Sequence, residues 1–343
     1  MPPRYDAVYI MYPRGHRTGG PEALYQLGAA LRELGIAAFM VPLPFSRDLP
    51  RIAEYDAYGV PEANEAIDAA GCAIVVPETN YYMLAKFRRA ERFCWWLSVN
   101  NSQLFHFGVM TATSTKRYPR LRNLAHRAIY AWEVAARPIA LRLPVHHLTQ
   151  SAFAWAFLQS RTNLLPSMLS DYTTLSIDGT TPRPEINPRQ ISYNFARGGY
   201  LVQRVIDSNL VDAKWVPIRD MSRTQVVETL STSSIYLDLG HQPGKDRLPR
   251  EAASAGAVTV VARVGAGAYH LDFPLPYEHK IVVDRELTTT ASRVLNNVLS
   301  DRQRALALQR AFRQGVNDER ATFYREARRV FVDGQFGSDF ELE

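Results

Sequence analysis

Only two cysteines occur in 343 residues, Cys72 and Cys94, each inside a short apolar run. That excludes a disulfide scaffold and gives a zinc site no support, so buried free thiols in a reducing compartment are expected. Long apolar runs are missing as well. Cys72–Val76 and Phe93–Leu97 are strand-length, far below the ~18 residues that cross a bilayer. No basic, apolar and small-residue leader precedes the first strand-like run, Ala7–Tyr12, and a cytoplasmic protein is expected. No carboxylate–x–carboxylate pair of a metal-binding kind is expected at a strand end, and so no metal site. Extremes of composition are also absent: with 46% apolar and 22% charged residues, the chain should be ordered and globular.

One region is lopsided. Between Thr111 and Arg142 seven basic residues (Lys116, Arg117, Arg120, Arg122, Arg127, Arg137, Arg142) face one acidic residue, Glu133. With a net charge of +6, the stretch suits phosphates, an anionic membrane surface or nucleic acid, and equally a solvated helix face.

The first half alternates strands and helices. Strands are predicted at Tyr5–Tyr12, Ile36–Val41, Cys72–Val76, Arg92–Leu97 and Val145–Thr149. Helices are predicted at Pro21–Leu34, Glu62–Ala69, Asn80–Arg88, Leu121–Ala136 and Ala152–Leu158. The pattern pauses between Leu165 and Pro188, where four prolines and a Thr-rich stretch read as a linker. It resumes with strands at Gln190–Phe195, Lys214–Pro217, Ser234–Leu239, Val258–Ala262 and Lys280–Val283. Helices follow near Tyr200–Ile206, Arg223–Leu230, Leu248–Ala255 and beyond Thr289. Strands separated by helices imply parallel sheets. The expected architecture is α/β, with two Rossmann-like domains facing across a cleft. They would be residues 1–170 and 189–330, joined by a linker over 171–188, with the C-terminal helices packing back on the first domain. Ligands in such folds sit at the carboxyl ends of the strands.

Two loops carry the chemistry. Gly15-His-Arg-Thr-Gly19-Gly20 precedes the first helix, where glycines let backbone N–H groups approach a phosphate or sugar. Pro21 and Glu22 stand where a Walker loop needs lysine and a hydroxyl, and the spacing is not a dinucleotide fingerprint. A ligand-free tight turn is the bland alternative. The second loop, Asp238-Leu-Gly240-His241-Gln242-Pro243-Gly244-Lys245-Asp246-Arg247, leads into a helix holding Pro249, Arg250 and Glu251. Helix-start N–H groups with Lys245, Arg247 and Arg250 suit a diphosphate, and Glu251 suits the vicinal hydroxyls of a ribose. The alternative is a surface ion network of Asp246 with Arg250 and Glu251 with Lys245.

The stretch Gly240–Gly256 and the following Val258-Thr-Val-Val resemble the donor site of GT-B glycosyltransferases, especially family 4. Glu251, Ala252 and Gly256 match its "Glu-Ala-x-x-x-Gly" pattern. Gly19-Gly20 through Gly35 resembles the family's glycine-rich opening. Tyr193-Asn194-Phe-Ala-Arg197-Gly198 falls where its second domain begins with a basic donor-binding segment. Gln150-Ser151 and Leu169-Ser170-Asp171-Tyr172 resemble a bacterial polysaccharide-associated branch. The family's second glutamate, eight residues before position 251, is replaced by Pro243, and its Arg…Lys pair is reduced to Arg197, helped by Arg204.

The resemblance implies a retaining, metal-independent, hexosyltransferase-like enzyme with a nucleoside-diphosphate sugar as co-substrate and no other cofactor. Donor contacts would come from Gly19, Gly20, Asn194, Arg197, Gly244, Lys245, Arg247, Arg250 and Glu251. Asp238, His241 and Asn100 are catalytic candidates. Glu78, Asn100 and Asn101 would face a saccharide or lipid-linked acceptor, with helix capping as the plain alternative for Asn101. His106 and His126 read as ordinary polar neighbours, and Trp95 and Trp96 as core. Lys116–Arg142 would lie on the inner membrane face, making the protein peripheral there. No nucleic acid is expected. A nucleotide-sugar epimerase or phosphorylase of the same fold, or a non-enzymatic polyanion binder, are the rival readings.

Overall fold

A computed structural model of the chain describes residues 3–102, 144–161, 164–174 and 184–337. The basic stretch Lys116–Arg142, the helix expected at Leu121–Ala136, and His106 and His126 lie outside the described residues.

Strand β1 (Ala7–Tyr12) is buried at all six positions. A continuous apolar run of that length suits a strand covered on both faces, as in a parallel sheet. Helix α1 (Gly19–Glu33) follows and β2 (Ala38–Pro42) returns alongside β1. The first sheet adds β3 (Cys72–Pro77), β4 (Glu91–Trp96) and β5 (His146–Thr149); after α2 (Ala152–Arg161) it ends on the short β6 (Ser167–Met168). The order is β2-β1-β3-β4-β5-β6, parallel throughout. Trp95 and Trp96 are both buried in β4. Their indole N–H groups donate to the Leu169 carbonyl and to His147 Nδ1, so each large ring is packed with its one donor satisfied.

The second sheet is built from β7 (Asn187–Asn194), α3 (Gly199–Asp207), β8 (Lys214–Ile218), α4 (Arg223–Thr232), β9 (Ser233–Asp238), α5 (Arg247–Ala255), β10 (Val258–Ala262) and β11 (Lys280–Ile281). Its order is β11-β10-β9-β7-β8, again parallel. Ile191, Leu237 and Val260 from three strands pack with Leu201 and Val205 of α3 on one face; Tyr236, Leu230 and Ala252 pack on the other. A capping box of Ser222 and Gln225 starts α4, and Gly256 at φ 95° ends α5. Helices α6 (Leu287–Ser300), α7 (Arg302–Leu308) and α8 (Arg310–Phe331) complete the described chain.

The chain forms two compact units. One comprises Met1–Gln150, Ala154–Leu169 and Tyr324–Glu343; the other Ser151–Phe153 and Ser170–Phe323. Among the described residues no helix is long and apolar enough to cross a membrane.

The helix expected at Glu62–Ala69 does not form. The segment has no apolar stripe to bury, Ile67 being 55% exposed. Its backbone instead pairs with the edge of β2, Met40 N donating to Pro61 O and Ala63 N to Met40 O. The start of the stretch expected as a linker lies in the protein interior. Ser170, Asp171 and Tyr172 are buried, and Asp171 is held in an ion network described below.

Candidate functional site

In each sheet the chain order reverses once, between β1 and β3 and between β7 and β9. Loops leaving neighbouring strands on either side of such a point diverge and leave a crevice at the carboxyl ends, where α/β proteins bind ligands.

In the second unit, the loops after β7 and β9 interlock at this point. Gly198 has φ 74°, and a Cβ there would lie 2.5 Å from Gly240 N and 2.7 Å from the Leu239 carbonyl carbon. A Cβ at Gly240 would lie 2.6 Å from Arg197 Cβ. Backbone meets backbone, and only glycine permits it. Asp238 pins both loops from below. Its buried carboxylate accepts Gly240 N (2.9 Å) and Asn194 Nδ2 (3.2 Å), while Asn194 Oδ1 accepts Arg197 N. Burial, then nearby Asp246, raises the Asp238 pKa to about 7 against the hydrogen bond from Gly240. A third loop joins, because Gln242 bridges to Gly265 after β10 and its carbonyl accepts Ala266 N. Gln242 is 1% exposed, yet neither polar atom of its side-chain amide has a hydrogen-bond partner among the described residues. An orphaned buried amide costs stability, which fits a loop shaped for something besides folding.

Gly198→Ala is expected to lower stability by about 1–2 kcal/mol from the left-handed backbone alone, with the contact to Gly240 adding to it. Gly315→Ala on α8, where an added Cβ meets nothing within 4 Å, should stabilise by roughly 0.5–1 kcal/mol. Urea denaturation of both reads these opposite signs.

The cations expected at a diphosphate are largely engaged. Arg250 is fully buried. Its Nη2 lies 2.9 Å from Asp171 Oδ1 and its Nη1 2.9 Å from Glu319 Oε2. It therefore holds helix α5 in place, with both ends of its guanidinium engaged inside the protein. Lys245 pairs with Glu319 at 3.1 Å and Arg247 approaches Asp171 at 3.5 Å, with side chains 16% and 13% exposed. Burial works to raise the Asp171 pKa, but Arg250 and Arg247 bring it below the usual value. Arg197, 45% exposed at the side chain, pairs with Asp246. Glu251 is 3% exposed at the side chain and pairs with Arg223 at 2.7 Å, not with Lys245. Gly244 is buried, with its carbonyl accepting Asp246 N.

Of the catalytic candidates, Asp238 is sealed under the loops and has the positioning role just described. His241 is exposed at the loop, its ring edge-on to Phe153, and desolvation by the loop keeps its pKa below the ordinary value, so it is neutral near pH 7. Asn100 is exposed in the turn after β4 in the first unit.

The first unit's crevice is framed by Gly19 and Gly20 at the start of α1 and by the segments after β3 and β4. Glu78 is 3% exposed, with Oε2 accepting Leu97 N at 3.0 Å. Burial raises its pKa to about 7, against backbone N–H bonds from Leu97, its own residue and Ser98. Its carboxyl clamps the turn carrying Asn100 and Asn101.

Two residues that matter here have no role in the sequence reading, Glu319 and Arg223; Asp171 and Gln242 stand in its motifs, but without the ion pairing and the burial found here. One acid–x–acid pair does follow a strand, against the expectation of none. Asp284 and Glu286 follow β11, both exposed, with Asp284 Oδ1 accepting Glu286 N. Among the described residues no group of three or more metal-ligating side chains occurs.

No protein-family model and no curated protein matches the sequence. Solved structures do match the fold. Sucrose-phosphate synthase from Thermosynechococcus elongatus superposes with a TM-score of 0.63 at 13% identity, over 95% of this chain and 98% of that one. A glycosyltransferase from Rickettsia africae gives 0.60 at 10% identity, over 95% and 98%. WaaG, a glycosyltransferase involved in lipopolysaccharide biosynthesis, gives 0.54 at 12% identity, over 96% and 100%. With its two parallel sheets and their helices matched along nearly the whole chain, the protein has the GT-B fold of these enzymes.

Proposed function

We propose that the chain is a glycosyltransferase moving a sugar from a nucleoside-diphosphate sugar to a saccharide or lipid-linked acceptor. The observation that carries this reading is the pair of glycine-locked loops over the carboxyl ends of β7 and β9, which carry Arg197, Lys245 and His241 together with an orphaned buried amide at Gln242. The proteins of like fold lend support, among them T4 phage BGT, solved with its UDP-glucose substrate, which has a TM-score of 0.50 at 10% identity.

In this reading the diphosphate lies against the start of α5. Arg197 and Lys245 face the charge that develops on the leaving group as the glycosidic bond breaks, and preorganised charge at that place is often the largest part of catalysis. Glu251 accepts from the ribose hydroxyls, and the neutral His241 hydrogen-bonds the sugar. The acceptor is assigned to the first unit, near Gly19, Gly20 and Asn100. Retention of anomeric configuration follows from the family resemblance, and the basic Lys116–Arg142 stretch suits an acceptor carried on an anionic membrane.

Donor binding through Arg197 and Lys245 needs no divalent cation. Calorimetry of the preferred nucleoside diphosphate should therefore give the same affinity with and without a chelator. Loss of binding on chelation would remove the cationic loop from its role. Scintillation or chromatographic assay of sugar transfer, against a panel of nucleotide sugars, tests the activity itself.

A further inference from the structure

At the opposite end of the second sheet lies a cavity of about 330 Å³, lined by Ile186, Ser254, Gly256, Arg302, Arg313 and Asn317 among others. Ile186 immediately precedes β7 and Gly256 lies just before β10, so the cavity sits at the amino ends of the strands, away from the loops described above.

Two arginines on its wall have no acidic partner. No carboxylate among the described residues lies within ion-pair distance of Arg302 or Arg313, unlike Arg197, Arg223, Arg247 and Arg250 in the same unit. Each donates from one nitrogen to a backbone carbonyl, Arg302 Nη2 to Gly256 O and Arg313 Nη2 to Leu306 O. Arg302 Nε and Arg313 Nη1 are buried with no hydrogen-bond partner. We infer that this cavity is a binding site for a small phosphate-bearing anion, held between the Arg302 and Arg313 guanidiniums with Ser254 and Asn317 as neutral hydrogen-bonding groups.

The energetics favour such a ligand. Two like charges are held near one another in a partly desolvated wall, an arrangement that costs stability unless an anion sits between them. Burial and then Arg313 lower the Arg302 pKa; burial and then Arg310 lower that of Arg313. Both guanidiniums stay protonated, because arginine begins so far above neutrality. Guanidinium forks match phosphate geometry, and a volume near 300 Å³ is the small end of ligand pockets, enough for a phosphomonoester of a small sugar. The site also touches the donor loop's supports. Ser254 and Gly256 lie at the far end of α5, the helix that begins with Arg247, and Arg313 shares α8 with Glu319.

The test compares thermal unfolding of the full chain in inorganic phosphate, in a hexose phosphate and in sodium chloride, all at equal ionic strength. Wild type should melt higher in either phosphate than in chloride, and calorimetry should show binding. Arg313→Gln should bind at least tenfold more weakly and lose the phosphate-dependent rise. In chloride it should melt no lower than wild type, because a repulsion is removed. Arg313→Lys, which keeps the charge and loses the fork, serves as the second variant and should retain part of the response. Tighter binding of the hexose phosphate identifies an esterified ligand; equal binding identifies free phosphate. The inference is overturned by an equal rise in chloride, or by an undiminished response in Arg313→Gln. Nucleoside diphosphate binding should persist in Arg313→Gln, which keeps this site separate from the donor site.

Discussion

Arg250→Met is expected to lower the unfolding free energy by about 3–5 kcal/mol, the cost of leaving buried charges without their partner. Asp171 and Glu319 are 1% and 4% exposed, and Arg250, at 0%, contacts both. Lys245 and Arg247 remain nearby, paired with Glu319 and Asp171 at 3.1 and 3.5 Å, but neither takes the fully buried place between the two carboxylates that Arg250 fills. Arg197→Met is the contrast: its pair with Asp246 is partly solvated, so less than about 1 kcal/mol of stability should go. Replacing Arg250, Asp171 and Glu319 together by apolar residues of similar volume should recover much of the loss, since whole buried ion groups can be exchanged at little cost. The pH dependence has a definite sign. The folded Asp171 pKa lies below its ordinary 3.8, so its contribution is present above that value. It is lost as pH falls through the folded pKa. Urea denaturation at neutral and acidic pH should therefore show the gap between wild type and Arg250→Met narrowing only in strong acid. A loss below 1 kcal/mol at neutral pH would mean that the network is dispensable.

The second large effect falls on binding. Glu251→Gln should weaken nucleoside diphosphate affinity ten- to a hundredfold, the equivalent of about 1.5–3 kcal/mol for a charged acceptor in a hydrogen bond. The fold should survive, because Arg223 is 39% exposed at its side chain and can turn to water when its partner is neutralised. Arg223→Gln makes the complementary change, removing the ion pair while leaving the carboxylate, and affinity should fall much less. A deoxyribose analogue completes the set: wild type should discriminate against it and Glu251→Gln should not. Full affinity in Glu251→Gln, with discrimination intact, would reduce Glu251 to a structural partner of Arg223.

Much of the fold was legible because its strands are short, continuous apolar runs. Ala7–Tyr12, Cys72–Val76 and Val258–Ala262 hardly permit another reading, and Gly35 and Gly256 mark helix ends through their left-handed backbone. The segment at Glu62–Ala69 misled because alanine and glutamate favour helices locally, while its backbone hydrogen bonds were claimed by β2. At the site, loop chemistry was visible and charge pairing was not. Arg250 meets Asp171 across 79 positions and Glu319 across 69, and Glu251 meets Arg223, whereas the alternative weighed from sequence had only the near-neighbour pairs Asp246 with Arg250 and Glu251 with Lys245. Burial decided the matter, since a cation near a phosphate loop and one neutralised in the interior look alike in a string of letters. Asp238 and Glu78 taught the same lesson: acids at strand ends, they serve backbone N–H groups.

The first unit's discontinuity bears on how the chain is made. Tyr5 and Phe93, early in the sequence, pack against Phe331 with ring centroids 6.3 and 4.9 Å away, and Phe93 also meets Phe336 at 5.9 Å. The aromatic cluster at the amino-terminal side of the first sheet thus stays open until the ribosome has synthesised the residues after 323 that belong to this unit. The second unit, continuous apart from three residues, can close before that happens. At ordinary elongation rates the wait is on the order of ten seconds, long enough for a complete but partly uncovered parallel sheet to meet chaperones before it meets the end of its own last helix.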